Sequence, residues 1–427
     1  MHSSSRGSWW RRNRILAGVV GATSLAVPLA VGMPGVSAAP ASLPAKAAAP
    51  CGTTVPVGPT NPNGIYKTLP SSLKTIYSTY PGALTVSPWA HWKGAKKPWK
   101  LGYIDFAIGT PYDQHVLDEL KSLYKEGVQQ GFLKGSLTTS IPATQALSTP
   151  EQQIGAIQQM VREGMSAIII SPIAGASEAA AIDAAGKAGV PVILADNLIA
   201  QSKYGISVWS QNQYTADAAT LKIISDNGGG NLLEVRGIAG NENETLLYEQ
   251  GVKDLADCPN IHIAGQVYGQ WNASTAKTVV SQYLVSHPAK LSGVMQDGGM
   301  MPGVIQAFQA AGRTVPPVAD GECQGADLSW WLAHIKSGYK GAGGCFNGYQ
   351  GGYTFFNAAL RILDGKGPKY NVLEMPAPLI TNANISQYAT PGQSLSWPGE
   401  QKGPITAWCS NSCLNTYFNV PGTVGKF

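Results

Sequence analysis

The chain carries little charge for its length. Only 13% of its 427 residues are Asp, Glu, Lys or Arg, and the formal net charge is +5. Beyond the N-terminus the basic residues are spread out and form no patch interleaved with aromatic residues, which argues against a nucleic-acid-binding surface. Abundant glycine with so few charges is typical of a compact globular chain, and the length predicts roughly one to three domains.

The sequence also lacks the common catalytic and phosphate-binding motifs. It contains no HExxH, GxSxG or P-loop, and the glycines of GIAGNENE (237–244) do not match GxGxxG. We therefore expect a protein that is not an enzyme and needs no cofactor or metal. A secreted carbohydrate-active enzyme remains an alternative, because glycosidases also place carboxylates around one cleft. No pair of carboxylates stands out here as acid and nucleophile.

Long apolar runs are absent beyond the N-terminal segment, and that segment predicts a signal peptide over residues 1–38. Four arginines precede the apolar run ILAGVVGATSLAVPL (15–29), and small residues follow at 36–39. Charge, apolar stretch and small-residue cleavage site are the pattern of export. The run is too short and too rich in Gly and Pro to favour a membrane anchor. We expect an exported protein, in the periplasm or at the extracellular face of the membrane.

Cysteine is scarce, with six residues, and none lies in a CxxC unit. The six histidines are scattered as well, so a zinc site is not indicated. An even number of cysteines in an exported chain predicts disulfides, although six cysteines allow 15 pairings. Cys409 with Cys413 is the most local candidate pair, and Cys323 with Cys345 is the next.

Strand and helix patterns alternate through most of the remaining chain. Residues 39–97 are rich in Ala, Pro, Ser and Gly and predict an irregular extension. After it, short apolar runs bounded by Gly and Pro alternate with helical patterns, which predicts βαβ units and a parallel sheet. The predicted strands include KLGYIDFAI (100–108), SAIIISP (166–172), VPVILAD (190–196), NLLEVRGIAG (231–240), LSGVMQDG (291–298), VPPVADGE (315–322) and MPAPLIT (375–381). After residue 391 the sequence again predicts loops.

Two stretches of the chain have a similar order of elements. One ends in AAGKAGVPVILAD (184–196) and the other in AAGRTVPPVADGE (310–322), each with an acid at the carboxyl end of a strand. Two similar open α/β lobes imply a crevice between them, and ligands of such sheets bind outside the carboxyl ends of the strands.

Polar and aromatic residues are concentrated at those predicted strand ends. Carboxylates and amides pair with sugar hydroxyls, and flat rings contact the apolar faces of sugars. Each residue also has a structural interpretation: Asp196 as a cap, Asn347 as the N-cap of the helix that follows it, and Trp271 as core. The candidate ligand-binding residues at or near strand ends are Phe106, Tyr112, Asp113, Asp196, Asn197, Trp271, Asp297, Glu322 and Asn347.

From about Lys100 to Gly392 the sequence resembles the type I periplasmic solute-binding proteins of sugar ABC transporters, the ribose-binding branch. The stretches that carry the resemblance are EQQIGAIQQMVREGMSAIIISP (151–172), AAGKAGVPVILADN (184–197), LLEVRGIAG (232–240) with the later Gly251, GVMQDGGM (293–300) and the glycine-rich helix entry after Asn347. The resemblance implies two doubly wound parallel-sheet lobes joined by a three-crossing hinge. The crossings are expected near Trp209–Gln211, Cys345–Asn347 and Ile380–Thr381.

The resemblance also assigns ligand contacts position by position. The family's aromatic pair falls on Tyr112 and Asp113, its strand-end Asp on Asp196, and its stacking Phe on Trp271. Its later contacts fall on Asp297, Glu322 and the hinge residue Asn347. Two family arginines are missing, since Asn197 occupies one position and Glu244 lies in the stretch of the other. These departures place ribose in doubt and suggest a polyol, an amino-sugar, another pentose or hexose, or a cationic ligand.

The domain organisation implied by the resemblance is a first lobe of residues 98–209 and 347–380, a second lobe of residues 210–346 and 381–391, and a tail of residues 392–427. We expect a monomer that binds a sugar or polyol in the cleft and hands it to an ABC permease in the membrane. A sensor that reports its ligand to a membrane kinase is the alternative function.

Overall fold

A computed structural model describes residues 50–54, 58–60, 64–198, 201–210, 212–404 and 408–426. All of these belong to one compact unit, Ala48–Phe427. The predicted signal peptide and the start of the predicted extension lie outside the described residues. No helix among the described residues is both long enough and apolar enough to span a membrane.

Twelve strands occur in the part of the chain that the structure describes. They are β1 (Leu101–Ile104), β2 (Thr138–Ser140), β3 (Ala167–Ile170), β4 (Val192–Ala195), β5 (Gly205–Ser210), β6 (Gly230–Arg236), β7 (Ile261–Tyr268), β8 (Leu291–Gln296), β9 (Ala319–Asp320), β10 (Ala342–Gly344), β11 (Val372–Met375) and β12 (Leu379–Thr381).

Helices alternate with these strands over most of the chain. They are α1 (Ile65–Thr68), α2 (Ser71–Ile76), α3 (Pro111–Gln129), α4 (Pro150–Arg162), α5 (Gly175–Lys187), α6 (Asn212–Asp226), α7 (Glu242–Leu255), α8 (Ala273–Ser286), α9 (Met301–Ala310), α10 (Gly325–His334), α11 (Gly348–Leu363) and α12 (Asn411–Asn415).

The first lobe is built on a six-stranded parallel sheet. Its strand order is β11-β5-β4-β3-β1-β2. Strand β3 reads AIII and all four of its residues are buried, because helices cover both faces of the sheet. Two of those helices begin at a Thr-Pro pair: Thr110 and Thr149 are N-caps, each followed by a proline and each in a capping box.

The second lobe has two three-stranded groups that meet edge to edge. Strands β7-β6-β8 are parallel, and β12-β10-β9 is a mixed group in which β12 runs antiparallel. A parallel bridge between Val294 of β8 and Val318 joins the groups, so six strands lie side by side. The prediction of two α/β lobes built mainly on parallel strands is confirmed.

The chain passes between the two sheets three times. It does so between β5 and α6, between β10 and α11, and between β11 and β12. The sequence predicts the third passage at Ile380–Thr381, but it lies at residues 376–378. The predicted strand MPAPLIT is in fact two strand ends in different sheets, because Pro376 and Pro378 cannot donate to a continuous ladder. Similarly, VPPVADGE contributes only Ala319–Asp320 as a strand.

The predicted extension before residue 98 does not lie apart from the first lobe. Residues 65–76 form two short helices, and Leu73, Tyr77, Tyr80 and Trp89 are buried in the same core as β1 and α3. The hydroxyl of Tyr77 donates to the carbonyl of Val372 in β11. The tryptophans at the end of the segment, Trp89, Trp92 and Trp99, predict packing there, but weak periodicity gives no signal for the two short helices.

The C-terminal tail, predicted as loops, also packs onto the lobes. Residues 399–401 pair with the second lobe, where Gly325 donates to Gly399 and Gln401 donates to Cys323 through their backbones. The chain then reaches the first lobe, whose core buries Leu414 of α12 together with Tyr417 and Phe418. The tail is therefore a further connection between the lobes.

The six cysteines lie in three pairs at bonding distance. Cys323–Cys345 and Cys409–Cys413 are the two pairs suggested by proximity in the sequence, and Cys51–Cys258 is the third. Cys51 lies against α6, where Thr54 Oγ1 also donates to the carbonyl of Tyr214. The third pair thus attaches the N-terminal segment to the second lobe.

Candidate functional site

A cavity lies between the lobes, at the carboxyl ends of their parallel strands. Its empty volume, including its opening to solvent, is about 720 Å³. Eight of the ten candidate residues line it: Phe106, Tyr112, Asp113, Asp196, Asn197, Trp271, Asp297 and Glu322. The other described residues on its wall are Thr110, Ser171, Ala195, Trp209, Ser210, Gln213, Asn243, Leu247 and Phe346.

The lobes touch across the mouth of this cavity, so the structure is in a closed arrangement. The side-chain amide of Asn241, in the second lobe, donates to the carbonyls of Pro172 and Ile173 in the first, both at 3.2 Å. A longer bond of 3.4 Å joins Asn272 Nδ2 to the carbonyl of Gly109. These bonds use side-chain amides on one lobe and backbone carbonyls on the other.

Asp196 is the first-lobe carboxylate that follows β4. Its backbone has φ = 44°, a left-handed conformation that is uncommon for a residue other than glycine. Its Oδ1 accepts a bond of 3.2 Å from the backbone N–H of Ser210 at the end of β5. Burial raises the pKa of Asp196 to about 7, an effect that the bonds from Ser210 partly oppose.

Trp271 provides the main aromatic wall of the second lobe. Both Gln270 and Trp271 have positive φ, 57° and 51°, which turns the indole into the cavity after β7. The ring lies against Phe106 of the first lobe, with 6.3 Å between the ring centroids. A Cβ at Gly237 would come within 2.4 Å of the indole, so only glycine leaves room for it there.

Asp297 and Glu322 are the two second-lobe carboxylates on the cavity wall. Asp297 Oδ2 accepts a bond of 2.6 Å from the backbone N–H of Gly237, and Glu322 Oε2 accepts one of 3.1 Å from Gln324 Nε2. Burial raises the pKa of both groups well above the ordinary range. For Glu322 the next cause is repulsion from Glu400, a residue of the C-terminal tail.

Helix α3 brings Tyr112 and Asp113 to the cavity. Asp113 is a capping residue as well as a wall residue, since its Oδ2 accepts from the backbone N–H groups of Gly109 and Thr110. Burial raises its pKa to about 6. The hydroxyl of Tyr112 is buried and has no hydrogen-bond partner within the described part of the chain. That hydroxyl is free to bond with a ligand.

Two candidates do not face the cavity. Glu244, buried at the start of α7, forms an ion pair with Arg236. Asn347 is the N-cap of α11: its Oδ1 accepts from the N–H of Gln350, while its Nδ2 donates to the carbonyls of Gln401 and Lys402 in the tail. The structural interpretation of Asn347 therefore accounts for both ends of its side chain. Glu244 is a candidate only because it lies in the stretch of a missing family arginine, and it is not among the described residues that line the cavity.

Several wall residues have no counterpart among the sequence candidates. Trp209 is the penultimate residue of β5 and donates from Nε1 to Asn243 Oδ1 at 3.0 Å, across the passage between the lobes. Its signal was the run GISVWS (205–210), an apolar strand with an aromatic near its carboxyl end. Asn243 lies one residue before the predicted Glu244. Gln213 had no such signal, because its approach depends on where the chain enters α6.

Glu400 is a buried acid that the tail inserts beside this wall. Its Oε2 accepts a bond of 2.7 Å from the N–H of Gly348 and lies 3.5 Å from His115 Nδ1. Its Oε1 is buried without a partner among the described residues. Burial raises the pKa of Glu400 to about 7, against the bond from His115. A residue so far along the chain, outside any predicted strand, could not be placed here from sequence.

Comparison with known proteins bears on this arrangement. A family described as periplasmic binding protein domain matches residues 108–367. The ribose import binding protein of Bacillus subtilis is 21% identical over 223 residues, which cover 52% of this chain and 69% of that protein. The xylitol-binding protein of Mycolicibacterium smegmatis is 24% identical over 242 residues, covering 55% and 66%.

Solved structures share the fold. An ABC transporter solute-binding protein from Thermobispora bispora superposes with a TM-score of 0.61 at 23% identity, covering 70% of this chain and 90% of that one. A solute-binding protein from Bacillus halodurans with bound myo-inositol gives a TM-score of 0.56 at 18% identity, covering 69% and 98%.

Proposed function

The chain belongs to the periplasmic binding protein family, and from that premise we propose that it binds a small polyhydroxylated compound in the cavity and delivers it to an ABC importer. The family consists of substrate-binding proteins and not of enzymes. The similar solved structures are ABC transporter solute-binding proteins, which favours import over the sensing alternative. Delivery to a permease in the membrane also fits the export signal.

The observation that carries the proposal is the set of wall residues from both lobes. Asp196 and Asn197 come from the first lobe, and Trp271, Asp297 and Glu322 from the second. A ligand bonded to both sets holds the lobes together, so binding favours the closed state. Hydrogen bonds to ionised groups contribute about 1.5–3 kcal/mol each, and three or four with ring contact reach micromolar affinity, about −8 kcal/mol.

The names of the relatives support a polyhydroxylated ligand without selecting one. One relative is named for ribose import and another for xylitol binding, and the Bacillus halodurans structure holds myo-inositol. Each of these compounds presents several hydroxyl groups, which suits a wall of carboxylates, amides and rings.

Calorimetric titration with a panel of pentoses, hexoses, pentitols and inositols tests the proposal. We expect at least one member to bind the wild-type protein with micromolar or better affinity. Trp271→Ala is expected to weaken that binding at least tenfold, because the indole is the largest apolar surface of the second-lobe wall. Trp408→Ala, outside the cavity, is the matched control. If no compound binds, or if the two tryptophan variants behave alike, the cavity is not the ligand site.

A further inference from the structure

The charge of the cavity wall has one sign. Its titratable residues include four carboxyl groups, those of Asp113, Asp196, Asp297 and Glu322. None of the described residues on the wall is a lysine, arginine or histidine. An ionised carboxylate accepts hydrogen bonds and cannot donate them, so a ligand at this wall must supply the donors.

One oxygen of each carboxyl group accepts a hydrogen bond from a backbone or side-chain amide donor of the protein. Gly237 holds Asp297 through Oδ2, and Gln324 holds Glu322 through Oε2. The other oxygens of these two groups, Oδ1 and Oε1, are thereby left for a donor within the cavity. Asp113 is held in a similar way, since its Oδ2 accepts from the backbone N–H groups of Gly109 and Thr110 at the start of α3.

Cations near the wall are already paired. Burial raises the pKa of Asp297, and the guanidinium of Arg236 lowers it slightly. However, this guanidinium forms an ion pair with Glu244 and lies 3.7 Å from the ring centroid of Tyr248. His115 is engaged by Glu400. The acids that act on the four wall carboxyls from neighbouring elements outnumber these cations: Asp105, Glu234, Glu244, Asp320 and Glu400.

Two further features of the cavity point to its occupant. Tyr112 lines the cavity and its hydroxyl is buried without a partner in the described chain, so the hydroxyl is available to a ligand atom. Rings from both lobes, including Phe106, Trp209 and Trp271, share the wall with the carboxyls. Aromatic faces beside carboxylates stabilise a cation by ring quadrupole and by charge together.

We propose that the ligand is a polyhydroxylated compound that carries a protonated amine, such as an amino-sugar or an aminated polyol. The amine donates to the carboxylates of Asp196, Asp297 and Glu322, and its hydroxyls bond with the amide and hydroxyl groups of the wall. This assignment rests on the proposed function and narrows it. A buried cation needs such counter-charges, whereas a neutral sugar brings no positive charge to this acidic wall.

The titration of the wall provides a second signature. Burial raises the pKa of Asp196 to about 7 and of Asp113 to about 6, so near pH 6.5 Asp196 in the empty closed cavity is mostly protonated and Asp113 partly so. An ammonium group stabilises the ionised acids and lowers these pKa values, so protons leave when it binds. A neutral ligand brings no charge to displace those protons.

Matched probes test the assignment by calorimetry. D-glucosamine is compared with D-glucose and N-acetyl-D-glucosamine, and 1-amino-1-deoxy-D-sorbitol with D-sorbitol, at pH 7.5. We expect each amine to bind at least tenfold more tightly than its neutral counterparts. Repeating the amine titrations at pH 6.5 in phosphate and in ACES, buffers with different ionisation enthalpies and no polyol amine, reports proton release as a buffer-dependent enthalpy.

Variants separate charge from shape. The double change Asp297→Asn with Glu322→Gln keeps the size of the wall and is expected to abolish the preference for the amines. Asp226→Asn, an exposed acid paired with Lys222, is the control and should leave it unchanged. Equal or tighter binding of the neutral probes overturns the assignment but leaves the proposed function standing. If none of the five probes binds, both fail for these compounds, and the amine assignment is rejected.

Discussion

Backbone strain is concentrated in residues around the cavity. Asp196, Gln270, Trp271 and Cys323 are non-glycine residues with positive φ, and each follows a strand that ends at the cavity. Such conformations cost roughly 1–3 kcal/mol each and persist where the surroundings enforce them. Here they aim the Asp196 carboxylate and the Trp271 indole inward, and Cys323 follows the wall residue Glu322.

Removing the space beside Trp271 should damage the site without changing its chemistry. Gly237→Ala places a methyl group within 2.4 Å of the indole, so the ring must move. We expect the affinity for the best ligand of the panel to fall at least tenfold in a calorimetric titration. Gly155→Ala in α4 is the control, since nothing lies within 4 Å of its added Cβ. If both variants bind alike, the position of the indole does not matter.

The ionisation of Asp196 should appear in the pH dependence of stability. Burial raises its folded-state pKa to about 7, above the ordinary unfolded value of about 3.9. The folded state thus holds the proton of Asp196 more tightly than the unfolded state does. The contribution of this proton to the free energy of unfolding is therefore full below pH 4 and is lost as the pH rises to 7. We expect urea unfolding of the ligand-free protein to show that decline, and Asp196→Asn to show a smaller one. An equal decline in the wild-type protein and the variant would contradict a raised pKa at Asp196.

At the scale of elements, the predictable parts are those with strong local signals. Helices α3 and α4 begin at capped Thr-Pro pairs, which are local features of the sequence, and β3 and β4 are apolar runs bounded by Gly or Pro. The tail was not predictable, because its few buried side chains, such as Tyr417 and Phe418, are separated by polar loops. The tail places Glu400 beside the cavity wall only because its backbone pairs with residues 323–325.

The start of α11 offers a test of one reassigned residue. Asn347→Ala removes the N-cap of α11 and two bonds to the tail. We expect the free energy of unfolding to fall by about 1–2 kcal/mol, the usual effect of a lost cap. The dissociation constant should change less than threefold, because this side chain does not line the cavity. A tenfold loss of affinity with unchanged stability would return Asn347 to the ligand site.

Over the whole molecule, the lobes are joined by more than the three passages between their sheets. The tail links residues 323–325 to the first lobe, and the N-terminal segment links Cys258 to the core around Tyr77. The two-lobed architecture could be predicted from repeated βαβ patterns. These added connections could not, because they depend on long-range pairs with no local periodicity.

The long cysteine pair should stabilise the molecule much more than the short one. Cys51 and Cys258 are separated by 207 residues, and Cys409 and Cys413 by 4. In the chain-entropy model a bond closing the long loop contributes about 5 kcal/mol and one closing the short loop about 2 kcal/mol. Urea unfolding of the protein with Cys51→Ser and Cys258→Ser, compared with Cys409→Ser and Cys413→Ser, measures the difference. Equal losses would show that loop closure is not the cause.

Closure of the two lobes on one ligand is most directly measured by the distance between them. Spin labels attached at Leu147→Cys and Val285→Cys report that distance by pulsed electron–electron double resonance. Both positions are exposed, the first on the first lobe and the second on the second lobe. The tightest ligand of the panel should shorten the mean distance and narrow its distribution, and Asp196→Ala with Trp271→Ala should remove this response. A distribution that stays unchanged at saturating ligand would contradict binding between the lobes.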